Sequence, residues 1–411
     1  MSTHPYQVVI DDNVRDIQAP MPAGSTKPRF GFIGTGMMGC EHIHVTLSLG
    51  RAEIAAIHDP HQPSLDLANW VLDKHDAPQP TIHESIDTLC ADESLDAIFI
   101  CTPNFTHREV FDRVIVSGKP IFLEKPMATT LDDAIYIANV ASSYPSVIQL
   151  GMQYRYKAQY LLAQTALEAG DLGEVKTVSM SEYRPPFLGK VDEWNKFAAY
   201  SGGTLVEKCC HYFDLINRVA QSTPKRVFAS GGQAVNFLDF EHNDKRSDID
   251  DHALVIVEYD NGVRGQFALN MFSEELYEEL VVGGSRGRLH AWENASFKPG
   301  KPSSARIKVE VPDHPAYEAT ACDYPESIER TGHYGSTMFE HDRFISALRG
   351  ESSDAATASE GLWAIITAWM AQRSIETREV VDVRQALANV NCDPYQPHLM
   401  PESLANRNED L

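Results

Sequence analysis

Long apolar runs, clustered basic residues and regularly spaced cysteines are all missing from this chain. No hydrophobic stretch approaches the ~20 residues that a membrane-spanning helix needs. Basic side chains number 35 against 58 acidic ones, a formal charge of -23, and they form no run. That argues against a nucleic-acid or anionic-membrane partner and leaves the acidity to solubility. The 7 cysteines are odd in number and scattered through 411 residues, which fits a reducing compartment better than a disulfide framework. Residues 1–28 lack a basic segment followed by an apolar core, so no secretory signal is read there. The expectation is a cytoplasmic enzyme or binding protein, long enough for two domains with buried cores.

What is present is a dense alternation of strand and helix patterns. After a polar, proline-bearing arm over 1–28, the stretches "RFGFIG", "AEIAAIHD", "LDAIFICTP", "PIFLEKP" and "SVIQLGMQY" read as buried strands. Helical patterns separate them, which predicts a doubly wound parallel sheet of Rossmann type over 29–152. From about residue 153 to 390 the pattern changes to half-buried strands such as "DHALVIVEYDNGVRGQFALNMF" and "EELVVGGSRGRLHAWE", with an Asn-Gly hairpin turn. This predicts an α+β domain with a mostly antiparallel sheet. A long helix, "ASEGLWAIITAWMAQRSIE", precedes a Pro/Asn-rich tail over 391–411.

The first strand runs into Gly34-Thr35-Gly36-Met37-Met38-Gly39. In a strand–turn–helix context this G-x-G-x-x-G spacing allows a tight turn, close approach of a pyrophosphate and close helix packing, with the helix N-terminus facing the phosphates. Asp59 ends the second strand about twenty residues later, where a carboxylate accepts hydrogen bonds from a ribose. Asp59 would repel a 2′-phosphate and no base follows it before Lys74, so NAD is favoured over NADP.

Two further strand ends carry candidate cofactor contacts: Thr102, Pro103, Asn104 and His107 on one loop, Glu124 and Lys125 before Pro126 on the next. A lysine there can hydrogen-bond a substrate oxygen and stabilise a developing alkoxide; on its own it also reads as a surface lysine paired with Glu124. Together, the glycine loop, "ICTPNFTH" and "FLEKPMATT" resemble the Gfo/Idh/MocA oxidoreductases, a likeness that extends over about residues 29 to 385. The resemblance implies a Rossmann domain, a second domain with a large open sheet, NAD(P), a sugar or cyclitol substrate, and a homodimer or homotetramer packed through that sheet.

The family's second element resembles Gly-Gly-Gly-x-Leu-x-Asp-x-Gly-x-His-x-x-Asp. Here it falls on "SGGTLVEKCCHYFD", with Glu207 for the aspartate, His211 for the histidine and Asp214 last; Ser201, Glu207 and Cys209 depart from the pattern. If one helix starts near Thr204, Glu207 and His211 are i and i+4 on one face. His211 has the pKa range to take a proton from an alcohol. Thr204-x-x-Glu207 also reads as a capping box, with the glutamate turned back to the helix start. Cys209, Cys210 and His211 are helical neighbours about 100° apart and cannot converge on one metal, so no metal site is read. "CEHIH" at 40–44 is read as helix packing. Tyr154, Arg155, Arg184, Trp194 and His333 are candidate substrate contacts.

The expected function is an NAD-dependent dehydrogenase oxidising a secondary alcohol of a sugar, sugar derivative or cyclitol, with Lys125 on the reacting oxygen and His211 as acid/base. The alternatives are a relative that uses NAD transiently for glycoside elimination or hydrolysis, and a non-catalytic cofactor-sensing protein.

Overall fold

The computed structural model describes residues 25–295, 304–312, 315–320, 328, 331–351, 353–390 and 392–395. The expected arm and tail fall largely outside these residues.

The first unit follows the buried runs of the sequence. β1 (Arg29–Ile33), α1 (Met37–Leu49), β2 (Glu53–His58), α2 (Gln62–Lys74), β3 (Thr81–Ile82), α3 (Ile86–Cys90), β4 (Ala97–Ile100), α4 (His107–Val114), β5 (Ile121–Leu123), α5 (Leu131–Ser142) and β6 (Ile148–Leu150) form one parallel sheet with flanking helices. Its strand order is β3-β2-β1-β4-β5-β6. The order reverses between β1 and β4, and ligands in such sheets sit beyond the strand ends at that point. Both β3 and α3 escape the sequence reading. β3 has two exposed residues and α3 one short turn, too few for a periodicity to show.

The second unit opens with α6 (Ala158–Glu168) and β7 (Val175–Tyr183). After α7 (Cys210–Ala220) come β8 (Pro224–Gly232), a two-stranded ribbon of β9 (Glu241–His242) and β10 (Lys245–Arg246), β11 (His252–Tyr259), β12 (Arg264–Asn270), β13 (Leu276–Gly284), β14 (Arg288–Ala295), β15 (Ser304–Glu310) and β16 (Tyr317–Thr320). α8 (Ser336–Leu348), α9 (Ala358–Thr377) and β17 (Val381–Asp382) follow. The large sheet has nine strands, β16-β15-β14-β13-β7-β12-β11-β8-β17. It is antiparallel apart from the β7–β12 pair. Burial alternates along β11, β13 and β15 as the sequence alternation predicts. The inward residues meet α6, α7 and α9. The Asn-Gly turn joins β11 to β12 with Gly262 at φ 89°, a left-handed conformation that glycine adopts without strain.

Two devices lock the units together. Arg155, just past β6, makes a bidentate pair with Asp214 of α7 (2.6 and 2.5 Å) and reaches Glu360 of α9 at 3.1 Å. α8 packs against α1, where Arg51 pairs with Asp342. Removing one partner of the Arg155 cluster would strand a buried charge.

Candidate active site

The glycine loop divides its work among three residues. Gly34 is left-handed (φ 89°), and a Cβ there would lie 2.7 Å from the Cys101 backbone. A Cβ on Gly39 would fall 2.1 Å from Gly34 O. A Cβ on Gly36 meets nothing within 4 Å, so the outer side of the loop is open. α1 starts there with no side-chain cap and no acidic residue in its first turn, leaving its amides to a ligand. Asp59 is tied to the same loop: Oδ2 accepts Thr35 N at 2.8 Å and Oδ1 accepts His61 N at 2.8 Å. Met37 is exposed and Thr35 buried beside it. This open cradle beside a carboxylate fits a dinucleotide. The contrast yields a stability test. Gly39→Ala is expected to cost about 1–3 kcal/mol through overpacking, whereas Gly36→Ala should leave the melting temperature unchanged and weaken only dinucleotide binding.

Beyond β4 and β5 the two loops are pinned to each other. His107 is buried, with Nδ1 on Pro126 O (2.8 Å) and Nε2 on Thr102 O (2.9 Å). Its ring therefore spends both nitrogens on holding the two loops together. Asn104 Nδ2 donates to Ser201 O at 3.4 Å, and Pro103 leads into the short turn over Asn104–Thr106. Glu124 is buried, and its Oε2 accepts the Lys125 backbone N–H at 3.0 Å. Lys125 Nζ donates to Glu207 O at 3.0 Å. Burial opposes the Lys125 charge, but the Glu207 and Glu124 carboxylates outweigh it and raise the ammonium above its ordinary range.

The glycine-led segment is not the single helix expected. A turn at Thr204–Glu207 is followed by a wide one in which the Lys208 and Cys209 amides both reach Thr204 O (3.0 and 3.2 Å), and α7 starts only at Cys210. Such an inserted turn offsets the helix register. Glu207 and His211 are therefore not successive turns of one helix, and the i, i+4 argument does not hold. What it leaves instead is the Glu207 carbonyl, which takes Lys125. The capping box is absent as well: Thr204 Oγ1 donates to Asp250 O, and Glu207 Oε1 accepts Lys190 Nζ at 3.1 Å. Burial raises the Glu207 carboxyl, and Lys190 with Lys125 overrides it and brings it down to about 2.

His211 is buried and lies flat on Tyr154, ring centroids 4.2 Å apart at 6°. Its Nδ1 is buried with no hydrogen-bond partner. Burial, then Lys125 and Lys208, push its pKa well below the ordinary imidazole range, so the ring is neutral at pH 7. A neutral imidazole keeps one ring nitrogen that can accept a proton.

The remaining candidates separate. Tyr154 forms the wall under His211 and its hydroxyl meets Lys208 Nζ. His333 turns its edge to Tyr154 (6.0 Å) and is held by Glu41 at 2.7 Å. Trp194 lies under Lys190 Nζ, 4.5 Å from the ring centre. Arg184 stands 3.8 Å from Glu182 and donates to Pro185 O. Arg155 does not belong to the site: it is 4% exposed and committed to Asp214 and Glu360, because the buried carboxylates of α7 and α9 claim its guanidinium.

Lys190, Lys208 and Glu182 escaped the sequence reading. Lys208 Nζ lies 3.1 Å from Glu182 Oε1. The visible signal was Lys208 inside the motif itself; Lys190 sits in a loop with no pattern. "CEHIH" also needs correcting: Glu41 and His42 are not mere packing, since Glu41 binds His333 and His42 binds Glu124 at 2.7 Å. Cys209 and Cys210 are buried among core side chains, and burial pushes the Cys210 thiol up to about 12. Among the described residues no group of three His, Cys, Asp or Glu could hold a metal ion, and no helix is long and apolar enough to cross a membrane.

Comparison with known proteins agrees with this geometry. Residues 28–152 match the family described as "Oxidoreductase family, NAD-binding Rossmann fold" and residues 164–383 "Oxidoreductase family, C-terminal alpha/beta domain". The inositol 2-dehydrogenase of Rhizobium meliloti strain 1021 is 24% identical over 356 residues, covering 86% of this chain and 99% of its own. Among solved structures, the myo-inositol dehydrogenase of Lactobacillus casei, in complex with NAD(H) and myo-inositol, superposes with a TM-score of 0.66 at 22% identity. It covers 87% of this chain and 97% of its own. A levoglucosan dehydrogenase in complex with NADH and levoglucosan gives a TM-score of 0.69 at 17% identity over 87% of this chain and 100% of its own. The chain is a member of the Gfo/Idh/MocA oxidoreductase family, with its NAD-binding Rossmann domain over residues 28–152.

Proposed function

We propose that this protein oxidises a secondary alcohol of a cyclitol, sugar or sugar derivative, with NAD held by the first unit and the polyol by the second. The observation that carries the reading is that Lys125, just past β5, donates through Nζ to Glu207 O at 3.0 Å, in the same short segment that carries the buried His211; burial and Lys125 both favour the neutral ring. The names of the inositol and levoglucosan dehydrogenases among its relatives support the substrate class.

NAD, when bound along the glycine loop, supplies the acceptor for the hydride that leaves the carbinol carbon. One Lys125 Nζ hydrogen is used on Glu207 O, which leaves two to donate to the reacting oxygen. That contact lowers the alcohol's pKa and favours its conjugate base. His211 takes the proton. Glu207, ionised and anchored by Lys190, offers its second oxygen to a neighbouring substrate hydroxyl. Tyr154 and Trp194 wall the site and exclude water, and His333 on Glu41 closes the side nearest α1.

The pH dependence follows from His211. Activity requires the neutral ring, and its pKa is depressed, so the acid limb of kcat/KM should lie below the ordinary histidine value of about 6.5. A limb above that value would contradict the assignment. Assembly through the open sheet is part of the proposal: Phe228, Leu254 and Ile256 are exposed on adjacent strands β8 and β11.

The test is a panel of inositols, free aldoses and glycosides with NAD and, separately, NADP, following NADH by absorbance. A steady rise with one class, greater with NAD than NADP, is expected. A flat trace with every class while NAD binds would refute it.

A further inference from the structure

A chain of hydrogen bonds runs away from the lysine loop into the second unit. Glu124 Oε1 meets His42 Nε2 at 2.7 Å, His42 Nδ1 meets His341 Nε2 at 2.7 Å, and His341 Nδ1 meets Thr46 Oγ1 at 3.2 Å. Glu124, at the end of β5, uses its other oxygen on the Lys125 amide. His42 and Thr46 belong to α1, His341 to α8. Every member is buried, and the two rings stack 5.0 Å apart among Phe99 and Phe122. Solvent does not reach this chain, so its protons must satisfy its own acceptors.

Counting those protons limits the states. Each of the three contacts needs one hydrogen. With Glu124 ionised, a neutral chain satisfies all three when His42 Nε2–H donates to Glu124, His341 Nε2–H to His42 Nδ1, and the Thr46 hydroxyl to His341 Nδ1. An added proton on His42 reverses the two outer bonds and satisfies all three again. In both states His42 Nε2 keeps its hydrogen on Glu124. Nearby carboxyls do not disturb this. Glu41 is occupied by His333 and Thr337, and Glu340, next to His341, is raised well above the ordinary carboxyl range by burial and then by Glu124 and Glu41. Burial holds His341 itself neutral.

We infer that His341 is a positioning residue: through His42 it fixes the tautomer that holds Glu124, and so the peptide of Lys125, in place. The relay joins the helix of the glycine loop, the lysine loop and the second unit, so the parts that must meet at the substrate are set by one hydrogen-bonded chain. The inference rests on the proposed role of Lys125. It assigns a function to His42, which the reaction itself does not use, and to a histidine nearly three hundred residues away in sequence.

His341→Phe fits the aromatic surroundings but leaves His42 Nδ1 without a donor. His341→Gln can still donate one from its amide. In the holoenzyme, His341→Phe should lower kcat by about tenfold, less than the ~10²-fold that a 1 Å misplacement of a reacting group can cost, with NAD affinity unchanged. His341→Gln should recover most of the loss. In protein carrying isotope-labelled histidine, the wild type should show a low-field His42 Nε2–H resonance and an unprotonated or charge-shared Nδ1. The resonance should persist in His341→Gln and broaden away in His341→Phe. Equal activity in the two variants would overturn the inference, as would a wild-type spectrum in which His42 Nε2 carries no hydrogen, even if His341→Phe fails to fold. If no polyol reduces NAD, the dehydrogenase reading fails while the resonance still tests the relay.

Discussion

Replacing His211 by alanine is expected to lower kcat by about 10²–10⁴-fold, the range for losing a general base. Among the described residues the other histidine of the site, His333, is tied through Nδ1 to Glu41 and cannot simply take its place. Lys125 is kept a cation by Glu207 and Glu124, Lys208 is lowered by burial but is committed to Tyr154 and Glu182, and Glu207 is held at about 2 by Lys190 and Lys125, too acidic to replace an imidazole. NAD affinity should stay near wild type, because the glycine loop and Asp59 form their contacts without His211. The ring also packs flat on Tyr154, so its loss opens a cavity. His211→Asn and His211→Gln keep part of that volume without the basicity and should be as inactive as alanine. Activity in His211→Gln close to wild type would assign the ring to packing.

Lys125→Met is expected to reduce kcat by about 10²–10³-fold, as when a single oxyanion donor is removed. The methionine keeps the length and apolar stem of the lysine and deletes the charge. Two things are lost together: the donor to the reacting oxygen and the bond to Glu207 O. Burial then acts on Glu207 with less opposition, since Lys125 is one of the three cations that hold its carboxyl down, with Lys190 and Arg184. The imidazole responds in the other direction. Lys125 is, after burial, the largest influence depressing His211, so in Lys125→Met the residual acid limb should move to higher pH. That shift separates an electrostatic role from a packing one. The two losses should not add in the double variant, because both residues act on one proton and one oxygen. A Lys125→Met enzyme with normal turnover would contradict the mechanism.

How much of this was legible depended on whether the information was local. The parallel sheet could be read because its strands are fully buried apolar runs and its helices have length enough to show a period; Gly34, Gly39 and Gly36 act at one turn, where spacing alone expresses the sterics. The second sheet announced itself by alternation and by the turn at Gly262. The site was harder. Lys125 and His211 were named from motif and chemistry, but the face shared by Glu207 and His211 was inferred from an ideal helix, and a single widened turn after Thr204 removed it. Arg155 could not be placed from local pattern because its partners, Asp214 and Glu360, lie in helices far along the chain, and a buried guanidinium goes to the carboxylates that burial leaves unpaired. Lys190 reaches Glu207 from 17 residues upstream in an irregular loop, where no period exists to read. The His42–His341 contact spans 299 residues. Such pairings are decided by how elements dock, which no local pattern encodes.

The central claim is net oxidation of the polyol, and counting NADH per subunit tests it most directly. With the responsive polyol in excess, NADH should accumulate past one equivalent per subunit and continue linearly over many turnovers. NADH that stops at or below one equivalent while altered sugar accumulates would contradict it and establish transient use of the cofactor.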